Sequence, residues 1–139
     1  MRILFVCTAN ACRSQMAEGW ARHLAPVGWE VGSAGLVPYP VSRRARAVMA
    51  EVGLDLAGQS EKSITEVGLA TWDVVVTLSD EAGRYLPRLR PGQRHLHRPV
   101  DDPMTATGTP DEVREAFRAA RDRIGDVVRA ALAEAAVDR

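Results

Sequence analysis

The chain has 139 residues, 46% apolar and 26% charged, the proportions of a globular protein that can bury a core without disulfides or a structural metal. Its 18 basic and 18 acidic side chains cancel, which excludes a global field favouring nucleic acid or an anionic membrane, so any anion preference must be local. No run approaches the ~18 apolar residues of a membrane span, and the start of the chain lacks the h-region and cleavage site of a signal peptide, so a cytoplasmic protein is expected.

In chain order, Arg2-Ile3-Leu4-Phe5-Val6 is a short apolar run, as in a strand buried on both faces. Met16, Ala17, Trp20, Ala21 and Leu24 then recur at helical spacing. Trp29 to Val31 is a weaker strand that ends in Ser33-Ala34-Gly35. After a loop with Pro38 and Pro40, a helix around Ala45, Val48, Met49 and Val52 stops at Gly53. Asp73 to Leu78 is β-branched and unalternating, the clearest strand, and Ser79-Asp80-Glu81 reads as a helix start. Residues 87–110 are rich in Pro and Gly, with a brief strand near His95 to His97. The last helix has Thr109 as N-cap, Pro110 at its first position and Glu112 three residues after the cap. Val113, Phe117, Ala120, Ile124, Val127 and Ala131 keep one apolar stripe along it.

Apolar strands alternating with helices predict an α/β fold, a parallel sheet with helices on both faces. Ligands in such folds bind at the carboxyl ends of strands, and the first strand ends at Cys7. With no linker, repeat or low-complexity stretch, residues 1–139 are expected to form a single domain.

The segment between the first strand and the first helix reads Cys7-Thr8-Ala9-Asn10-Ala11-Cys12-Arg13-Ser14. A short loop of small residues at a helix start turns successive backbone N–H groups inward, and with the positive end of the helix they form an anion nest. Thr8, Ala9, Asn10, Ala11, Cys12, Arg13 and Ser14 are therefore the candidate oxyanion-binding residues. Arg13 can close over the anion with two parallel hydrogen bonds. Cysteines at helix N-termini beside cations are favoured as nucleophiles, which casts Cys7 in that role. Ser14 is placed to donate a hydroxyl to its sulfur, and Asn10 to hold a left-handed turn. The two cysteines, Cys7 and Cys12, close too short a loop for a global staple and suit chemistry in a reducing compartment. No metal site is expected, because no Cys-x-x-Cys or His pairing completes a ligand set and His23, His95 and His97 are scattered.

On these residues the chain resembles the low-molecular-weight protein tyrosine phosphatase superfamily, which includes the thioredoxin-coupled arsenate reductases. Cys7 to Ser14 matches the family loop. Gln15-Met16-Ala17-Glu18-Gly19 is similar to the reductase branch, as are Glu51 to Asp55, Val75 to Leu78, Asp101-Asp102-Pro103, Phe117-Arg118 and Arg121-Asp122. Ser33-Ala34-Gly35 also matches. The resemblance implies a three-layer sandwich around a four-stranded parallel sheet. It also implies that Asp102, the Asp before Pro103, is the general acid, with Asp101 as a substitute.

Two departures shape the expected activity. Ser79 and Leu86 stand where the resemblance places two relay cysteines, so an internal thiol relay cannot operate. The reading is an arsenate reductase whose turnover needs an external low-molecular-weight thiol or a glutaredoxin- or mycoredoxin-like reductant, with arsenate–mycothiol transferases as a precedent. Met104 replaces the aromatic residue that follows Asp-Pro in the phosphatases, although Tyr39, His97 or Tyr85 could supply a wall. A phosphatase working through a cysteinyl phosphate is the alternative, and a non-catalytic phosphate-binding or redox-sensing module the third reading. The family's second loop cysteine gives Cys12 a redox role through a disulfide with Cys7. A monomer is expected, with a small oxyanion substrate and no nucleic-acid or membrane partner.

Overall fold

The computed structural model describes residues 1–137. Four strands, β1 (Arg2–Cys7), β2 (Glu30–Gly35), β3 (Val74–Thr77) and β4 (Arg94–His97), form one sheet in the order β2-β1-β3-β4. All three pairings are parallel, and Cys7 pairs with Gly35 at the carboxyl end. The helices are α1 (Arg13–Leu24), α2 (Arg43–Glu51), α3 (Asp80–Tyr85) and α4 (Pro110–Ala136), with 3-10 turns at Leu69–Thr71 and Pro103–Thr105.

The sheet has a core on each face, which is why its central strands read as unbroken apolar runs. Ile3, Phe5, Val74 and Val76 point to one face, where Met16, Ala17, Met49, Phe117, Ile124 and Val128 cover them. Leu4, Val6 and Val75 point to the other, under Trp72 and Ala82. Helices α1, α2 and α4 thus lie on the first face, with α3 and the turn before β3 on the second. The expected three layers are present.

Each helix boundary has a local cause. Thr109 and Glu112 form a reciprocal capping box at the start of α4, with Pro110 in its first turn. Ser42 and Ser79 cap α2 and α3 by accepting from Ala45 N–H and Ala82 N–H. By contrast, α1 starts at Cys12 without a side-chain cap, so its first amides are left for another acceptor. β2 runs on to Gly35 because pairing with β1 sustains a strand whose own sequence is weak. Beyond it, Gly35 bridges to Ser63 and draws residues 59–64 alongside the loop that follows β1.

Candidate active site

The loop from Cys7 to Ser14 leaves the sheet at its carboxyl end, between two close-packed neighbours. Asn10 has a φ of 53°, the left-handed conformation its side chain suits. Gly35 lies against the back of the loop: a Cβ there would fall 2.6 Å from the Asn10 nitrogen and 2.7 Å from the Ala9 carbonyl carbon. Any larger residue would push the loop off the sheet.

The loop's backbone polarity is sorted. Its carbonyls point into the protein, where those of Cys7, Thr8, Ala9 and Ala11 accept from the N–H groups of Leu36, Val37, Tyr39 and Ser42 at 2.8–3.3 Å. The N–H groups of Thr8 through Cys12 donate to no protein acceptor among the described residues. Five unspent donors at an uncapped helix start are the components of an anion nest.

Side chains complete the arrangement. Cys7 is buried at the nest's base, its Sγ 2.9 Å from Ser14 Oγ. Asn10 Nδ2 donates to the same Ser14 oxygen at 2.7 Å, and the Lys62 N–H donates to Asn10 Oδ1 at 2.8 Å. Arg13 donates to the Val100 carbonyl at 2.9 Å, and its guanidinium lies 3.7 Å from Asp102 Oδ2. The other Asp102 oxygen accepts the Met104 N–H at 2.9 Å and caps the 3-10 turn. The Arg13 guanidinium and the Asp102 carboxylate, far apart in sequence, thus meet at the cleft that Cys7 also lines.

A cleft of about 630 Å³ opens above the loop, lined by Cys7, Thr8, Ala9, Ala11 and Arg13 on one side and Asp101, Asp102 and Met104 on the other. Asn10, Cys12 and Ser14 do not line it; they are buried behind it, so their side chains shape the loop rather than face a ligand. Burial, then the neighbouring Cys7 and Asp102 charges, push the Cys12 thiol above the ordinary cysteine range. Of the suggested walls only Tyr39 reaches the cleft, where it is exposed at the mouth with Val37. His97 instead bonds the Thr77 hydroxyl at 2.7 Å, and Tyr85 lies exposed beside Arg84. Neither lines the cleft.

Ser79 and Leu86 sit at the two ends of α3, as cap and as following residue. Ser79 also accepts from the Thr8 hydroxyl at 3.0 Å, so this serine ties the helix to the loop. Glu81 was readable only as part of a helix start, yet its carboxylate is 3.3 Å from the same hydroxyl and lines the cleft. Its own backbone N–H, then Thr8 and Arg13, hold it below the usual carboxylate range. Nothing in the local sequence marks it, because its partner Thr8 lies 73 positions away. Among the described residues no three His, Cys, Asp or Glu side chains gather as a metal set, and no helix is long and apolar enough to cross a membrane.

Comparison with known proteins agrees with this geometry. The family model of low molecular weight phosphotyrosine protein phosphatases matches residues 2–139. An arsenate reductase of Halalkalibacterium halodurans is 40% identical over 123 residues, 88% of each chain. One from Bacillus subtilis is 40% identical over 124 residues, 89% of each. A solved arsenate reductase in its phosphate-binding state superposes with a TM-score of 0.78 at 34% identity, covering 96% of this chain and 97% of that one.

Proposed function

The chain belongs to the low molecular weight phosphotyrosine protein phosphatase family, and we propose that within it the protein is an arsenate reductase that uses Cys7 as nucleophile and an external thiol as reductant. The observation that carries this reading is the sulfur beneath five unspent backbone donors, with Arg13 and Asp102 over the same cleft. The arsenate reductase relatives at 40% identity support the choice of oxyanion.

The chemistry follows from the groups present. Arsenate seats in the nest and Arg13 turns from the Val100 carbonyl to grip two of its oxygens. Cys7 Sγ attacks arsenic, an S–As bond forms, and the departing hydroxide takes the Asp102 proton and leaves as water. A thiolate from solution then attacks Cys7 Sγ. The S–As electron pair passes to arsenic, which leaves as arsenite, and a mixed disulfide remains. A second thiol breaks that disulfide and frees Cys7, so two thiols supply the two electrons. The thiol must come from outside because Ser79 and Leu86 occupy the ends of α3. Burial makes the Cys12 thiol a slow nucleophile that does not compete with the external thiol for the arsenic adduct. We assign it the slower protective disulfide, formed when peroxide has oxidised Cys7 to the sulfenic acid and Cys12 displaces its hydroxyl as water.

The test offers arsenate with glutathione, mycothiol or bacillithiol, each with its redoxin, beside para-nitrophenyl phosphate. Arsenite formation with one thiol system, absent in Cys7→Ser, is expected. Efficient ester hydrolysis with no arsenite from any thiol would instead establish the phosphatase reading, which the exposed Tyr39 at the cleft mouth favours as a wall for an aromatic ester.

A further inference from the structure

The side-chain amides behind the loop form a chain whose direction can be assigned from backbone groups that play only one role. The Lys62 N–H can only donate, and it reaches Asn10 Oδ1 at 2.8 Å. The Asn10 amide is therefore oriented with Nδ2 toward Ser14 Oγ, 2.7 Å away. The carbonyls of Asn10 and Ser60 can only accept, and both lie 3.0 Å from Gln15 Nε2. That nitrogen is also 2.9 Å from Asn10 Oδ1. Gln15 Oε1 is thus turned the other way, toward Gln59 Nε2 at 2.8 Å, and Gln59 is fixed in turn by the Gln15 carbonyl at 3.0 Å.

Donation consequently runs one way, from Gln59 to Gln15 to Asn10 to Ser14. Ser14 Oγ accepts from Asn10, and against a thiolate, which can only accept, its single hydrogen is directed to Cys7 Sγ at 2.9 Å. We propose that Gln15 and Gln59, neither of which lines the cleft, are positioning residues that hold the Ser14 hydroxyl as a donor to the Cys7 sulfur and so set its reactivity. The two Gln15 Nε2 hydrogens are shared among the Asn10 carbonyl, Asn10 Oδ1 and the Ser60 carbonyl, which also steadies the left-handed turn. Asn10, Ser14 and Gln15 are fully buried, where a chain of aligned dipoles is not screened by water and each bond strengthens the next. The segment that carries Gln59 and Lys62 thereby acts on a nucleophile it never touches.

The experiment uses Gln15→Met and Gln59→Met, which keep length and remove the donor without adding charge. The readouts are the pH dependence of iodoacetamide alkylation at Cys7, followed on its peptide by tandem mass spectrometry, and the affinity for inorganic phosphate. Losing a hydrogen bond of this kind is expected to slow alkylation at pH 7 by about 3- to 10-fold in Gln15→Met. The curve should move to higher pH, with a smaller move in Gln59→Met, while phosphate affinity changes less than about twofold because the nest's own donors remain. Gln59 is only partly buried, so its variant decides the matter where Gln15→Met does not fold. A folded Gln59→Met whose alkylation curve superimposes on the wild type overturns the proposal. Neither readout involves arsenate, so the result is separable from the assignment of substrate.

Discussion

Two polar regions of this protein are built on opposite terms. On the outer face, between α2 and α4, Glu51 accepts from two Arg118 nitrogens at 2.7 and 2.9 Å and from Arg121 at 3.0 Å. Under the loop, the buried residues Asn10, Ser14 and Gln15 are uncharged and joined by amide and hydroxyl bonds. Above them Arg13 has a carbonyl and one carboxylate at 3.7 Å. The structural arginines have spent their forks on carboxylates at bonding distance, whereas the cleft arginine has kept most of its capacity, as have the five backbone donors beside it. Satisfied charge holds elements together, and unsatisfied charge over a rigid neutral base is what can bind an anion.

The largest expected effect tests the base of that cleft. Cys7→Ser should lower turnover by at least ~10⁴-fold while the melting temperature stays near wild type, since a hydroxyl fills the same space without the nucleophile. Retention of a tenth of the rate would break the comparison at its centre. Next, Arg13→Lys should cost about 10²- to 10³-fold in kcat/KM, because an ammonium cannot replace a planar two-bond fork. Arg121→Lys, at the outer cluster, should leave kcat/KM within about threefold and appear only in thermal stability.

Asp102→Asn should slow turnover by about 10²-fold and leave phosphate binding intact, a split between kcat and affinity expected of a proton donor. Equal losses in both would make Asp102 a binding residue instead. Cys12→Ala should keep turnover within about threefold under reducing conditions, because a buried thiol pushed above the ordinary range contributes little as a nucleophile, but lose activity faster in peroxide, where the disulfide that shields Cys7 can no longer form.

The smallest effect lies on the outer face and reads out as pH dependence. Hydrogen bonds from Arg118 hold Glu51 down to about 2. A carboxylate lowered on folding stabilises the folded state above its unfolded value of about 4.3, and that contribution is lost as pH falls through the folded value. The melting-temperature difference between wild type and Glu51→Gln should therefore be full at neutral pH and shrink between about pH 4.3 and about 2. A difference constant across that window would show that the ion pair adds nothing.

Much of this was legible in the residues alone, and the reason is distance along the chain. The strand before Cys7, the left-handed Asn10, the Ser14 hydroxyl beside the sulfur and the Thr109 capping box all involve partners within a few positions. Spacing, propensity and turn chemistry encode such partners directly. The resemblance pointed to Asp102, which lines the same cleft as Cys7; composition and periodicity could not have singled it out.

What the tertiary structure decided were the partners far apart in sequence. It set Tyr39 at the cleft mouth and His97 and Tyr85 away from it, buried Cys12 behind the loop, and brought Glu81 within reach of Thr8. It also laid residues 59–62 against the loop, so that Gln59 meets Gln15 across 44 positions. No local pattern carries that information, because which distant side chains meet is fixed only when parallel pairing and the burial of both sheet faces have chosen one packing.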